Sequence, residues 1–106
     1  MLALEYRPRA DLDRQSVAIY LGQELGNPQA ALTAIRAIDT AIENVRLFPA
    51  SGKALRFEGT PLEHEYRVAL AGQYAIYYRH DNSTVTVCRI LHQRRDIDTY
   101  TLVNFE

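Results

Sequence analysis

The stretch NPQAALTAIRAIDTAIENVRLFP, residues 27–49, decides how this chain folds. Within it Ala31, Ile35, Ile38, Ile42 and Val45 recur in steps of four, three, four and three, which lines them up as one apolar seam on an α-helix. Asn27 is a strong N-cap, and Pro28 suits a first helical position, where no backbone donor is needed. Pro49 ends the run, because its ring clashes with a preceding helical turn and it offers no N–H. A helix with such a seam cannot bury it alone, so the rest of the chain must supply a covering layer.

Outward toward the N-terminus, Val17, Leu21 and Leu25 repeat at four-residue spacing, Leu12 and Ile19 lie seven apart, and Gly26 stands as a stop. This predicts a first helix over about residues 10–25. The turn at Gly26 and Asn27 is so short that the two helices should pair antiparallel as a hairpin. Before them, Leu2-Ala3-Leu4-Glu5-Tyr6 alternates with period two and Pro8 closes it, which predicts a strand.

Outward toward the C-terminus the period changes from helical to two. His64 to Leu70 places Tyr66, Val68 and Leu70 on one face and Arg67 on the other, before Ala71-Gly72 turns the chain. From Gln73 to Arg79, Tyr74, Ile76 and Tyr78 oppose Ala75, Tyr77 and Arg79, and Asp81-Asn82-Ser83 suits a hairpin turn. Thr84 to His92 is β-branched and apolar on nearly both faces, the mark of a central strand. The tail from Arg94 to Glu106 carries no clear period. The order β-α-α-β-β-β predicts an α+β fold: an N-terminal strand and an α-helical hairpin packed on a twisted antiparallel β-sheet, in a single domain over residues 1–106.

Composition narrows the function classes. The 106 residues carry 12 Lys and Arg against 13 Asp and Glu, a net charge of -1, so no global positive field draws the protein onto nucleic acid. No apolar run approaches the ~20 residues of a membrane span, and residues 1–10 lack the order of a secretory signal, which predicts a cytoplasmic protein without membrane contact. The single cysteine, Cys88, excludes an internal disulfide and reads as a small buried hydrophobe. His64, His80 and His92 fall on separate elements without ligand spacing, so neither a metal nor another cofactor is expected.

Three segments in one order resemble a known family. They are Tyr66-Arg67-Val68, then Gly72-Gln73-Tyr74-Ala75-Ile76-Tyr77-Tyr78-Arg79, then Val87-Cys88-Arg89-Ile90-Leu91-His92-Gln93-Arg94-Arg95-Asp96. Together with the helical hairpin and Phe48-Pro49, they resemble the RelE/ParE superfamily of bacterial type II toxins over nearly the whole chain. The resemblance implies a growth-inhibiting toxin of a plasmid-stabilisation type system, neutralised by a cognate antitoxin, and compatible with a homodimer or a heterotetramer with that antitoxin. RelE-like members are metal-independent endoribonucleases that cut messenger RNA on the ribosome. ParE-like members are taken to inhibit DNA gyrase by binding.

RNA cleavage without a metal needs a group to activate the 2'-hydroxyl, cations for the charged phosphorane and an acid for the leaving oxygen, all around one phosphate. By resemblance, Arg67 matches a phosphate-stabilising arginine, and Arg94 with Tyr100 matches an arginine followed six residues later by a tyrosine. His92, at a strand end, is a further candidate acid or base. Against this, the basic segment typical of RelE-like toxins is reduced to Lys53 and Arg56, and the net charge is unfavourable for docking among RNA phosphates. The segment His92-Gln93-Arg94-Arg95-Asp96-Ile97 is more similar to ParE-like endings, so the ParE-like reading is favoured. Arg79, Arg89 and Arg95 are candidates for contact with target or antitoxin, although for Arg79 and Arg89 pairing with a carboxylate in the fold is the favoured reading. A toxin fold that has become an inactive binding module is the third reading.

Overall fold

The computed structural model describes residues 1–55 and 65–95. Strand β1 (Ala3–Tyr6) leads into helix α1 (Pro8–Ile19), a π-helical turn over Tyr20–Glu24, helix α2 (Pro28–Leu47) and a 3₁₀ turn over Pro49–Ser51. Strands β2 (Lys53–Ala54), β3 (Arg67–Ala71), β4 (Tyr74–His80) and β5 (Thr84–His92) follow. Among the described residues the strands form one sheet in the order β1-β5-β4-β3-β2.

Helix α2 forms as its sequence dictates. The Asn27 side chain accepts from the Ala30 N–H at 3.0 Å, and Pro28 occupies the first turn. Ile38, Ile42 and Val45 are buried, while Ala31 and Ile35 are half-buried toward the hairpin tip. Gly26, at φ +62°, takes the left-handed conformation that ends the first helical segment cheaply only for glycine.

Helix α1 departs from expectation. It begins at Pro8, which starts the helix rather than merely closing the strand, and it stops being α-helical at Ile19. The Leu25 N–H then reaches the Tyr20 carbonyl at 2.9 Å, the five-residue spacing of a π turn. Ala10 and Val17 are buried and Leu21 packs against the core, but Leu12, Ile19 and Leu25 are exposed. Two periodicities overlap on this helix, and only the one through Ala10, Val17 and Leu21 faces inward.

The sheet is mixed. β5 pairs antiparallel with β4, and β1 lies parallel to β5 from Ala3 opposite Thr84 to Tyr6 opposite Val87. The antiparallel sheet expected for the C-terminal segments is observed in β3–β4–β5, and β1 departs from it by adding in parallel: α1 carries the chain away from β1 across the sheet, so β1 and β5 end side by side in the same direction. The short strand β2, unannounced by any pattern, pairs Lys53 with Val68 and Ala54 with Arg67. The strand expected from His64 is observed from Arg67; His64 itself lies outside the described residues. At the β4–β5 hairpin, the Asp81 carboxylate accepts from the Ser83 and Thr84 N–H groups, both at 2.8 Å, which holds its carboxyl below the usual range.

β5 is the central strand that its two apolar faces predicted. Tyr77 opposes Arg89 but Tyr78 opposes Val87, so Cys88 is the extra residue of a β-bulge. The bulge shifts the alternation. Val87 and Ile90 both join the core beneath the helices, whereas Cys88 and Leu91 both join Tyr66, Ala75 and Tyr77 on the opposite face. Strict alternation would have put Val87 and Ile90 on opposite faces.

Candidate functional site

Of the side chains singled out from the sequence, Arg67 and Arg79 lie at one end of the sheet and His92, Arg94 and Arg95 at the other. At one end Arg67, on the helix-facing side of β3, reaches toward the 3₁₀ turn. Its Nη1 donates to the Gly52 carbonyl at 2.8 Å and the Ala50 carbonyl at 3.3 Å, and its Nη2 donates to Glu65 Oε1 at 3.1 Å. Arg67 thus fastens the strand to the loop that follows α2. Beside it, Tyr78 is fully buried, donates its hydroxyl to the Pro49 carbonyl at 2.7 Å and accepts from the Gly52 N–H at 3.0 Å. Burial pushes this phenol above the usual tyrosine range. Gly52 has no alternative here, because a Cβ would come within 2.4 Å of the Tyr78 hydroxyl and 2.9 Å of the Val68 carbonyl. Glu65, Arg67, Arg79, His80 and Asp81 together line a cleft of about 310 Å³ in which both signs of charge are present.

At the other end, His92 closes β5 opposite Tyr74, ring centroids 5.6 Å apart at an edge-to-face angle of 73°. Its Nδ1 accepts from the Arg94 N–H at 3.1 Å, which leaves Nε2 to meet Gln73 Oε1 at 3.3 Å. Arg94 and Arg95 are exposed just beyond the strand. Tyr100 lies outside the described residues.

These two ends are far apart. Arg67 is level with Tyr78 and Val87, while His92 is level with Tyr74 and Ala71. Four residue steps along the strands and two strands across place their backbones roughly 13 Å apart in one direction and about 10 Å in the other. The Arg67 guanidinium is held toward the 3₁₀ turn by the Gly52 carbonyl at one end, and the His92 ring faces Gln73 at the other.

Arg89 has a different place from the others. It is 4% exposed, and its Nε and Nη2 bind Asp13 Oδ2 at 2.7 Å and Oδ1 at 3.1 Å. The same carboxylate accepts the Ile90 N–H at 3.0 Å. β1 covers the edge of β5 only as far as Val87, and Asp13, projecting from α1, satisfies the donor that lies beyond. Arg89 is therefore a tie between α1 and β5 rather than a surface group. Asp13 escaped the sequence reading, although its position three residues from Ala10 and four from Val17 puts a carboxylate on the inward face. A second tie, Arg14 to Asp39 at 3.1 and 2.8 Å, joins α1 to α2.

A groove also went unread. Ala30, Ala34 and Ala37 run beside the isoleucine seam of α2 and, with Leu21, Ala71, Gly72 and Tyr74, line a cavity of about 500 Å³ between the hairpin and the β3–β4 turn. The signal in the sequence was the alanine row at four- and three-residue steps, whose small side chains leave the space open. Among the described residues no group of His, Cys, Asp or Glu could hold a metal, and no helix is long and apolar enough to cross a membrane.

A strand, a helical hairpin on one face of a sheet, and a β5 centred between β1 and β4 define the class of RelE/ParE superfamily toxins. Within that class, the chain belongs to the ParE toxin family of type II toxin-antitoxin systems, parDE, whose profile matches residues 4–97. Among solved structures it is similar to a chain of the chromosomal ParDE system from P. aeruginosa, with 17% identity, a TM-score of 0.68, and coverage of 87% of this chain and 96% of that one. It is similar also to a chain of the RelBE2 toxin-antitoxin complex from Mycobacterium tuberculosis, at 21% identity, TM-score 0.59 and coverage of 87% and 98%. The YoeB dimer from Staphylococcus aureus is a further likeness, at 12% identity, TM-score 0.56 and coverage of 87% and 97%. These likenesses concern the fold. No curated relative matches by sequence.

Proposed function

We propose that this ParE-family toxin inhibits growth by binding DNA gyrase, without a chemical step of its own, and that a cognate antitoxin neutralises it in the cytoplasm. The observation that carries this reading is the dispersal of the cations. Arg67 is committed to two carbonyls and Glu65, Arg89 to Asp13, and His92 with Arg94 sits at the far end of the sheet. Metal-free cleavage of RNA concentrates such groups on a single phosphate. Net charge -1 adds to the argument, since a ribosome-docking nuclease gains affinity from a basic surface. Binding, by contrast, needs only a shaped surface, and Arg79 and Arg95 with the exposed strand end supply polar contacts for target or antitoxin.

Induction of the toxin without its antitoxin tests this. Gyrase inhibition relaxes plasmid supercoiling and raises the DNA-damage response while existing messages stay intact. Prompt cutting of messages at fixed codon positions would instead establish the ribosome-dependent endoribonuclease reading. In that case alanine at Arg67, His92, Arg94 or Tyr100 abolishes toxicity while the fold and antitoxin binding persist.

A further inference from the structure

The outward face of α1 has a composition that the rest of the surface does not explain. Leu12, Gln15, Ser16, Ile19, Tyr20 and Gln23 are all exposed and follow helical spacing, a stripe that is itself uncharged in a chain that is 24% charged and is flanked by exposed Asp11, whose carboxylate accepts from Gln15 Nε2 at 3.2 Å. Leu12 is 58% exposed, Ile19 48% and Tyr20 49%. The face is bracketed by Arg9 at the helix start and Glu24 at the end of the π turn, both exposed, and neither has an ion-pair partner among the described residues. Their placement is contrary to the helix dipole, which favours anions at the N-terminus and cations at the C-terminus. Asp11 in the first turn is placed as the dipole favours, so the misplaced charges are the two that bracket the apolar stripe, Arg9 and Glu24.

We propose that this face docks on the same face of a second copy of the chain, the two α1 helices running antiparallel about a two-fold axis near Ser16. Such an arrangement is self-complementary, as an isologous contact must be. Leu12 of one copy meets Ile19 and Tyr20 of the other, the uncharged glutamines and serines pack across the middle, and Arg9 falls within one helical turn of the partner copy's Glu24 at each end. Arg9 and Glu24 thereby gain opposite charges, and each helix end receives a charge of the sign its dipole favours. A helical segment of another protein is the alternative occupant of such a face, and it lacks the self-complementary Arg9 and Glu24 pairing that a second copy supplies. A single helix crossing is small beside the roughly 1,200 Å² of stable interfaces, so the dimer dissociates in the micromolar range.

Sedimentation of the purified full-length chain across the micromolar range tests the proposal. The wild-type protein shifts from monomer to dimer with concentration, and Ile19→Glu, an exposed site whose change leaves the thermal melt unaltered, remains monomeric. Arg9→Glu and Glu24→Arg each weaken dimerisation several-fold, and the two together restore it, because each swapped pair is again of opposite sign. Four outcomes overturn the proposal: a monomer throughout; a dimer indifferent to Ile19→Glu; charge swaps that fail to compensate; or Ile19→Glu abolishing antitoxin co-purification with the toxin's own association unchanged, which would assign the face to the antitoxin.

Discussion

The two helices of the hairpin are held to the same sheet by different physics. α2 is fixed mainly by shape: Ile38, Ile42 and Val45 are buried in one seam, and its polar tie is at its far end, where Arg46 Nε donates to the Leu2 carbonyl at 2.8 Å and the Arg46 carbonyl accepts the Leu2 N–H at 3.1 Å, just ahead of β1. α1 buries only Ala10 and Val17 and is fixed by charge, to the sheet through Asp13 on Arg89 and the Ile90 N–H, and to α2 through Arg14 on Asp39. An apolar seam tolerates small shifts, whereas a bidentate pair sets an angle and a register. The helix with the free outer face is thus also the one whose position is set by hydrogen-bond geometry.

Asp13→Ala should have the largest effect, about 3–5 kcal/mol of lost stability, because it strands a buried guanidinium and a backbone donor. Replacing Asp13 and Arg89 together with apolar residues of similar volume should recover most of that loss in urea melts. If the double replacement is as damaging as the single one, charge is not what positions α1. Ile42→Ala on the other helix should cost about 2–4 kcal/mol through the cavity it leaves, with no dependence on salt.

Tyr78→Phe should follow at about 1–3 kcal/mol, since the Pro49 carbonyl and the Gly52 N–H both lose their partner. The same tyrosine gives a signature in pH. Burial raises Tyr78, Tyr74 and Tyr6 above the free value of 10.0, so the folded state holds these protons more tightly than the unfolded chain does. Their contribution is fully present below the unfolded value and disappears as pH rises through the folded one. Stability should fall above about pH 10 and fall less steeply in Tyr78→Phe. The smallest effect belongs to Arg14→Ala, under about 1 kcal/mol, because the Arg14–Asp39 pair is 33% and 48% exposed and salt screens it. A loss there as large as that of Asp13→Ala would erase the distinction between the two ties.

Much of this architecture was legible in residue order. The seam from Ala31 to Val45, the Asn27 cap, the alternation through Tyr74–Arg79 and the doubly apolar β5 each specify an element from local pattern alone. What escaped depended on distant partners. The parallel neighbour of β1, the two-residue β2 and the Cys88 bulge are set by pairing rather than propensity. On α1 two overlapping periodicities competed: Val17 and Leu21 face inward with Ala10 and the Asp13 carboxylate, while Leu12, Ile19 and Leu25 of the same hydrophobic repeats face outward. For the site, the family resemblance pointed to Arg67, Arg94 and Tyr100 with His92 beside them; Tyr100 lies outside the described residues, and the register places Arg67 and His92 at opposite ends of the sheet.

The parallel pairing of β1 with β5 joins residues 81 positions apart, as Ala3 beside Thr84. A ribosome making this chain releases β1 and both helices long before their sheet partner exists, so the apolar seam of α2 waits uncovered through most of synthesis. Closure of so long a loop is a late, all-or-none event. The complete fold therefore exists only after β5 has emerged, and every earlier nascent form carries α2 as an unshielded target for chaperones and proteases.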